Sequence, residues 1–200
     1  MHARALLIFI KNPLSGKVKT RLAATIGEEK ALRIYLQLLQ ITRNTTLQAD
    51  CARYLFYSDF IDTTDDWLPE DFHKALQHGD DLGQRMYEAF RSLLEHYTKA
   101  IIIGSDCPEL GEEILNLAFN KLDESDIVLG PAVDGGYYLL GMKELTPELF
   151  EGIAWSTPEV MNQTLKKIKS IDKTVAFCPT LRDLDDEADW EMLKDIIDPD

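Results

Sequence analysis

The chain has 200 residues, 45% of them hydrophobic and 28% charged, the proportions of a globular domain large enough to bury one sizeable core. Its net charge of −14, from 35 acidic against 21 basic residues, repels a polyanion and excludes duplex nucleic acid as an expected partner. No run approaches the roughly 20 apolar residues of a membrane helix, and three cysteines without CxxC spacing, Cys51, Cys107 and Cys178, fit a reducing, cytoplasmic compartment and no structural zinc site.

The opening MHARALLIFIK imitates a signal peptide, but its apolar run spans only Ala5 to Ile10 before Lys11 closes it. Ala5 to Ile10 therefore reads as a first buried strand, followed by a Gly/Pro/Lys loop to about Arg21. Ala31, Ile34, Leu38, Ile41 and Leu47 recur at helical spacing and predict a helix over Glu28 to Gln48. Arg53 to Tyr57 reads as a second strand and Asp59 to Asp71 as a long acidic loop. A helix from about Leu82 to Tyr97 leads into the strand Ala100 to Ile103, which Gly104 ends. Pro108 then suits the first turn of a helix running to about Leu122. Asp126 to Leu129 and Tyr137 to Met142 read as strands. Pro158 opens a helix to about Lys169, Thr174 to Cys178 is strand-like, and a last helix comes after Asp186. This alternation predicts one α/β domain over residues 1–200, a mostly parallel twisted sheet flanked by helices on both faces.

Chemistry-bearing residues gather after the strand ends, where open α/β sheets bind ligands. The loop KNPLSGKVKTRL fails the Walker pattern, because Lys11 and Val18 stand where that pattern needs a glycine and a Ser/Thr. It still supplies Gly16 for close backbone approach, Thr20, and the cations Lys11, Lys19 and Arg21 for phosphate oxygens. Asp106, after the strand at 100–103, is a candidate ligand for a hard cation shared with substrate phosphates. The alternative is an N-cap of the helix at Pro108. Asp134 with Gly135, Gly136 and Tyr137 would face the same cleft, or form a simple hairpin turn. Asp183, Asp185 and Asp186 sit at a helix start, as cap or as part of a metal site. Asp81 and Arg85 in DDLGQRM divide similarly between helix cap and anion contact. Cys107 reads as a buried small residue, since no histidine is placed as its base. Trp155, in AWSTPEV, reads as core packing or a loop anchor.

Taken in order, the runs KNPLSGKVKTRL, GDDLGQRM, GSDCPEL, GPAVDGGYYLLG, FEGIAWSTPEV and LRDLDDEAD resemble a bacterial family of glycosyltransferase-like proteins, transferase 1 or domain of unknown function 2064. The resemblance covers nearly the whole chain. It implies the nucleotide-diphospho-sugar transferase superfamily with its GT-A fold, Mg²⁺ or Mn²⁺, and a nucleotide bound in the N-terminal half. The first loop is also similar to that of phospholactate guanylyltransferases at Lys11, Pro13, Lys19, Thr20, Arg21 and Leu22. Where many GT-A enzymes carry DxD, Ser105-Asp106-Cys107 offers one carboxylate.

Two reactions fit these residues. In nucleotidyl transfer from a nucleoside triphosphate, Lys11, Lys19 and Arg21 would hold phosphates, and Asp106 with Asp185 the cation. In glycosyl transfer from a nucleotide-sugar, Asp134 would be the base for an acceptor hydroxyl. Nucleotide contacts would come from Lys11, Gly16, Lys19, Thr20, Arg21, Asp81 and Arg85, and acceptor contacts from Gly135, Gly136 and Tyr137. A nucleotide-binding regulatory or scaffold protein without turnover is the third reading.

Overall fold

Along β1 (His2–Ile10), Leu6, Ile8 and Ile10 are buried on one side and Ala5 and Leu7 on the other. A strand apolar on both faces belongs inside a sheet covered from both sides. The computed structural model describes residues 2–198 and places β1 in that position.

It is flanked by β2 (Ala52–Tyr57) and β4 (Tyr97–Ile103), both parallel to it. The seven strands run in the order β3-β2-β1-β4-β6-β5-β7. The outer members are β3 (His73–Leu76), β5 (Ile127–Pro131), β6 (Tyr137–Met142) and β7 (Val175–Phe177). Only β6 runs against the others, pairing antiparallel with both β4 and β5. The carboxyl ends of β1 to β5 and the start of β6 therefore share one edge.

Two apolar layers cover the sheet. One is packed by α1 (Thr20–Ile26), α2 (Glu28–Gln48), α4 (Glu112–Glu124) and α6 (Glu187–Ile197), through Leu22, Leu38, Phe119 and Trp190 among others. The other is packed by α3 (Leu82–Leu94) and α5 (Val160–Ser170), through Met86, Phe90 and Ile168. The expected α/β fold with helices on both faces is what the chain adopts.

Several expected boundaries are corrected. The helix expected to begin at Pro108 begins at Glu112 with Gly111 as N-cap; residues 107–110 form a tight turn closed by the Leu110 amide on the Cys107 carbonyl. The helix over 82–97 ends at Leu94, because Tyr97 already pairs with His2 in β4. The helix expected from Pro158 begins at Val160. Three short elements go beyond the sequence pattern: α1, which takes up the end of the first loop, β3, and a single 3-10 turn at Pro147–Leu149.

The acidic loop after β2 is strapped down. The Asn12 side chain receives the amides of Asp59 and Phe60 and donates to the Phe60 carbonyl. Lys74 grips Asp65 at 2.6 Å and the Asp62 carbonyl at 2.7 Å, Arg43 donates to Asp66, and Trp67 is buried.

Candidate functional site

A cleft of about 560 Å³ lies along the shared strand edge. Its charged lining consists of Lys11, Lys19 and Arg21 from one segment, and Asp106, Asp134, Asp183 and Asp185 from three others.

Lys19 is the centre of this arrangement. It is the N-cap of α1 in left-handed backbone, φ 49° and ψ 42°, a conformation costly for a residue with a Cβ and commonest where function requires it. Its side chain, 4% exposed, brings the ammonium to 2.7 Å from Asp106 and 4.0 Å from Asp185, and donates to the Leu184 carbonyl. A buried ammonium needs such partners, since an unpaired one costs several kcal/mol. Arg21, 72% exposed, reaches Asp185 at 2.9 Å. Lys11 projects from the end of β1 without a side-chain partner among the described residues, while its backbone amide and carbonyl are both held by the Tyr35 hydroxyl. Burial, then the charge of Asp106, push the Tyr35 phenol well up, so it remains a neutral hub.

Asp106 is not a helix cap: that role falls to Gly111. Its carbonyl accepts the Leu184 amide at 2.8 Å, which stitches the segment 181–185 to the end of β4. The same segment bonds to the chain just beyond β5 through Val133 and Leu181. Its far end is fixed by the Asp186–Asp189 capping box of α6, so Asp186 is the cap and Asp185 is left for the cleft.

Four carboxylates thereby crowd one region. Burial, followed by the charges of Asp106 and Asp134, pushes the Asp183 carboxyl up to about 7 against the pull of Lys19. Burial likewise raises Asp185, opposed by Lys19. Asp183 accepts no hydrogen bond among the described residues. A carboxyl pushed up by burial and like charges in a cleft makes that cleft a candidate functional site. Among the described residues no three His, Cys, Asp or Glu side chains close into a metal cage. The set fits instead the mode in which a hard cation takes one or two carboxylates and completes its shell with substrate phosphates and water. Asp106, 44% exposed, and Asp185 could supply such carboxylates.

The turn at Asp134 is both a hairpin and part of the cleft. The Ala132 amide donates to the Gly136 carbonyl, and the Asp134 carboxylate accepts the Gly136 amide at 2.8 Å. Gly136 lines the cleft. Gly135, at φ +93°, is turned toward α5: an added Cβ would lie 2.4 Å from the Pro158 carbonyl oxygen. The Tyr137 ring lines the cleft, but its hydroxyl is buried on the Thr164 side, so the ring face is what it offers.

Other expected site residues lie elsewhere. Gly16 is outside the lining, its space facing the Glu28 carboxylate. Asp81 caps α3 by accepting the Gln84 amide, and Arg85 donates to the Gly79 carbonyl; neither lines the cleft. Thr20 does line it. Cys107 is buried and its thiol is pushed well up by burial, as expected of a packing residue.

The lining residues that the sequence does not single out for the site include Gln77 and Trp155, and Asp183 is expected only as one of three acids at a helix start. Gln77 comes directly after β3, a strand the sequence pattern does not announce. Trp155 stands in the cleft wall edge-on to Tyr137, and the only signal for it in the sequence is the uncharged run around it.

No curated protein matches the sequence. A crystal structure from Desulfovibrio desulfuricans, identified only provisionally as a nucleotide-diphospho-sugar transferase, is 32% identical over 96% of this chain and 87% of its own, with a TM-score of 0.88. The inositol-1-phosphate CTP transferase of T. maritima shares the fold, at a TM-score of 0.61 and 14% identity over 100% of this chain and 98% of its own. So does a Mycobacterium tuberculosis protein in complex with manganese, at 0.56 and 12% over 96% and 98%. The family described as "uncharacterized protein conserved in bacteria (DUF2064)" matches residues 41–157. The chain belongs to the DUF2064 family.

Proposed function

We propose that this protein is a metal-dependent transferase acting on a nucleotide, either a nucleotide-sugar or a nucleoside triphosphate. The observation that carries the reading is the buried, strained Lys19 ion-paired with Asp106 at the carboxyl edge of a parallel sheet, within a cluster of four acids. The 32% identical relative, identified provisionally as a nucleotide-diphospho-sugar transferase, and the CTP-using neighbour of the same fold point to the same substrate class.

Asp106 and Asp185 would hold Mg²⁺ or Mn²⁺, the latter present in one structure of the same fold. Such a cation supplies charge neutralisation on a phosphate oxygen. Lys11 and Arg21 meet phosphate oxygens from one side of the cleft, Arg21 with its planar fork. Lys19, fixed by Asp106 and the Leu184 carbonyl, would contribute its charge as a preorganised group. In nucleotidyl transfer these cations stabilise departing pyrophosphate while an acidic acceptor attacks in line. In glycosyl transfer the same groups hold a departing nucleoside diphosphate, and the Asp134 carboxylate accepts the proton of an acceptor hydroxyl.

The alternative, a nucleotide-binding regulatory or scaffold protein without turnover, is favoured by one observation: the Lys19 ammonium already neutralises Asp106. A thermal-shift screen of nucleoside triphosphates, diphosphates and nucleotide-sugars, with and without Mg²⁺ or Mn²⁺, tests the reading. A ligand at ~100 times its dissociation constant raises stability by about 2.7 kcal/mol. A metal-dependent shift that Asp106→Asn removes supports the transferase. A shift that is indifferent to metal and to Asp106→Asn supports the alternative, and no shift with any nucleotide refutes both.

A further inference from the structure

The segment 152–158, with the sequence GIAWSTP, carries no charge in a chain of net −14, yet it is held with unusual care. Ser156 adopts left-handed backbone at φ 62°, one of three non-glycine residues to do so among the described residues. Strain of this kind persists only where the surroundings over-determine it. Here they do. The Ala154 amide donates to the Gln163 side chain at 2.7 Å, and the Thr157 hydroxyl returns to the Ala154 carbonyl at 2.7 Å. The Met161 amide donates to the Gly135 carbonyl at 3.0 Å.

Two glycines make room for the segment. A Cβ on Gly83 would lie 2.4 Å from the Trp155 indole nitrogen, and one on Gly135 would lie 2.4 Å from the Pro158 carbonyl oxygen. Gly83 belongs to the run GDDLGQRM and Gly135 to DGG. The first run thus faces the Trp155 ring itself, and the second faces the backbone of the same segment at Pro158. Trp155 meets Tyr137 at 6.5 Å and 89°, and Leu82 and Met86 from α3 share the wall. The indole N–H has no partner among the described residues. Trp155, Ser156 and Thr157 all line the cleft.

The chemistry of this wall differs from that of the opposite one. All three lining cations come from residues 11–21, and none from here. The nearest charge contributed by the β5–β6 turn is the Asp134 carboxylate. A free anion would meet acids without a compensating cation. A neutral ring with polarised C–H groups on one face and hydroxyls at its rim would meet an aromatic face, the Ser156 hydroxyl and a carboxylate acceptor.

We infer that residues 153–158, with Trp155 as platform, form the second subsite of the cleft and take a neutral hydroxylated ring, the sugar of a nucleotide-sugar or of a free sugar acceptor. This assignment rests on the nucleotide-transferase reading for the phosphate side and goes beyond it for the opposite wall.

The test measures binding by calorimetry and by quenching of tryptophan fluorescence. Trp155 is the only tryptophan lining the cleft; Trp67 and Trp190 are buried in the other apolar layer. The probes are UDP, GDP and ADP, the matching UDP-glucose, GDP-mannose and ADP-glucose, free glucose and mannose, and lactate and inorganic phosphate as anions. The expected result is that a sugar adds about tenfold to the affinity of its nucleoside diphosphate. Trp155→Ala removes that increment and leaves the diphosphate affinity within about twofold, while Trp155→Phe retains most of it. If free monosaccharides bind and the sugar increment is absent, the ring comes from the acceptor, and Trp155→Ala then abolishes monosaccharide binding. A sugar increment insensitive to Trp155→Ala overturns the inference and leaves the nucleotide reading intact. So does Trp155-dependent binding of lactate or phosphate in place of sugars. Failure of every nucleotide refutes the broader reading, and the subsite then stands or falls on Trp155-dependent binding of the free sugars alone.

Discussion

Two acidic regions of this molecule have similar composition and opposite electrostatics. Between β2 and β3, Asp62 and Asp65 are each satisfied: the Thr64 amide and hydroxyl hold the Asp62 carboxyl below its usual range, and Lys74 with the Tyr57 hydroxyl closes on Asp65. At the strand edge, Asp183 and Asp185 crowd Asp106 and Asp134 with one buried ammonium among them, and both are raised. The first group stabilises a loop. The second gathers carboxylates that a ligand or cation would partner, and this difference, more than acidity, is what makes it the candidate site.

The comparison makes opposite-signed demands on mutants. The largest effect is expected for Lys19→Met, which leaves Asp106, Asp183 and Asp185 without their buried cation. It should cost about 3 kcal/mol in urea denaturation and remove any nucleotide-induced stabilisation. An unchanged midpoint would mean that Lys19 does not hold the cluster. Next, Asp65→Asn deprives the Lys74 ammonium, 10% exposed, of its charge partner and should lower stability by about 1–2 kcal/mol.

The third change has the other sign. With its folded pKa raised to about 7 from an ordinary 3.8, Asp183 binds its proton more tightly in the folded chain. Its contribution is present in full below about pH 4 and is lost as pH rises through about 7. Asp183→Asn should therefore melt higher than the parent at pH 8 and match it at acid pH, in the presence of a chelator. A parent whose melting temperature is flat between pH 4 and 7 would contradict the crowding. The smallest effect on stability belongs to Arg21→Ala, under about 0.5 kcal/mol for so exposed a pair; the same variant should nonetheless weaken nucleotide binding, measured by calorimetry.

Much of the site is legible in the sequence because strand ends advertise themselves. The apolar runs at 5–10 and 100–103 are buried on both faces. The residues directly after them, Lys11 to Arg21 and Asp106, fall on one edge by the geometry of a parallel sheet. The DGG turn is legible as a hairpin, and that turn does sit in the cleft. Less legible are residues whose role depends on where their partners lie. Asp81 and Arg85 have the right chemistry beside a helix start, yet Gln84 and Gly79 hold them locally. Trp155 reads as packing because an aromatic in an uncharged run carries the same signal whether its ring is buried or forms a wall.

The alternation of apolar strands and amphipathic helices determined by itself the fold class, the sheet edge and the basic loop, since periodicity and strand direction are local properties that packing only completes. Tertiary structure alone decided which carboxylates meet. Asp106 and Leu184 are joined by a backbone hydrogen bond between segments far apart in the chain, and that bond converts scattered aspartates into one charged cluster around Lys19. It decided, too, that Gly83 makes room for the Trp155 ring and Gly135 for the Pro158 backbone, because the space a missing side chain leaves is defined only by the element that comes to occupy it.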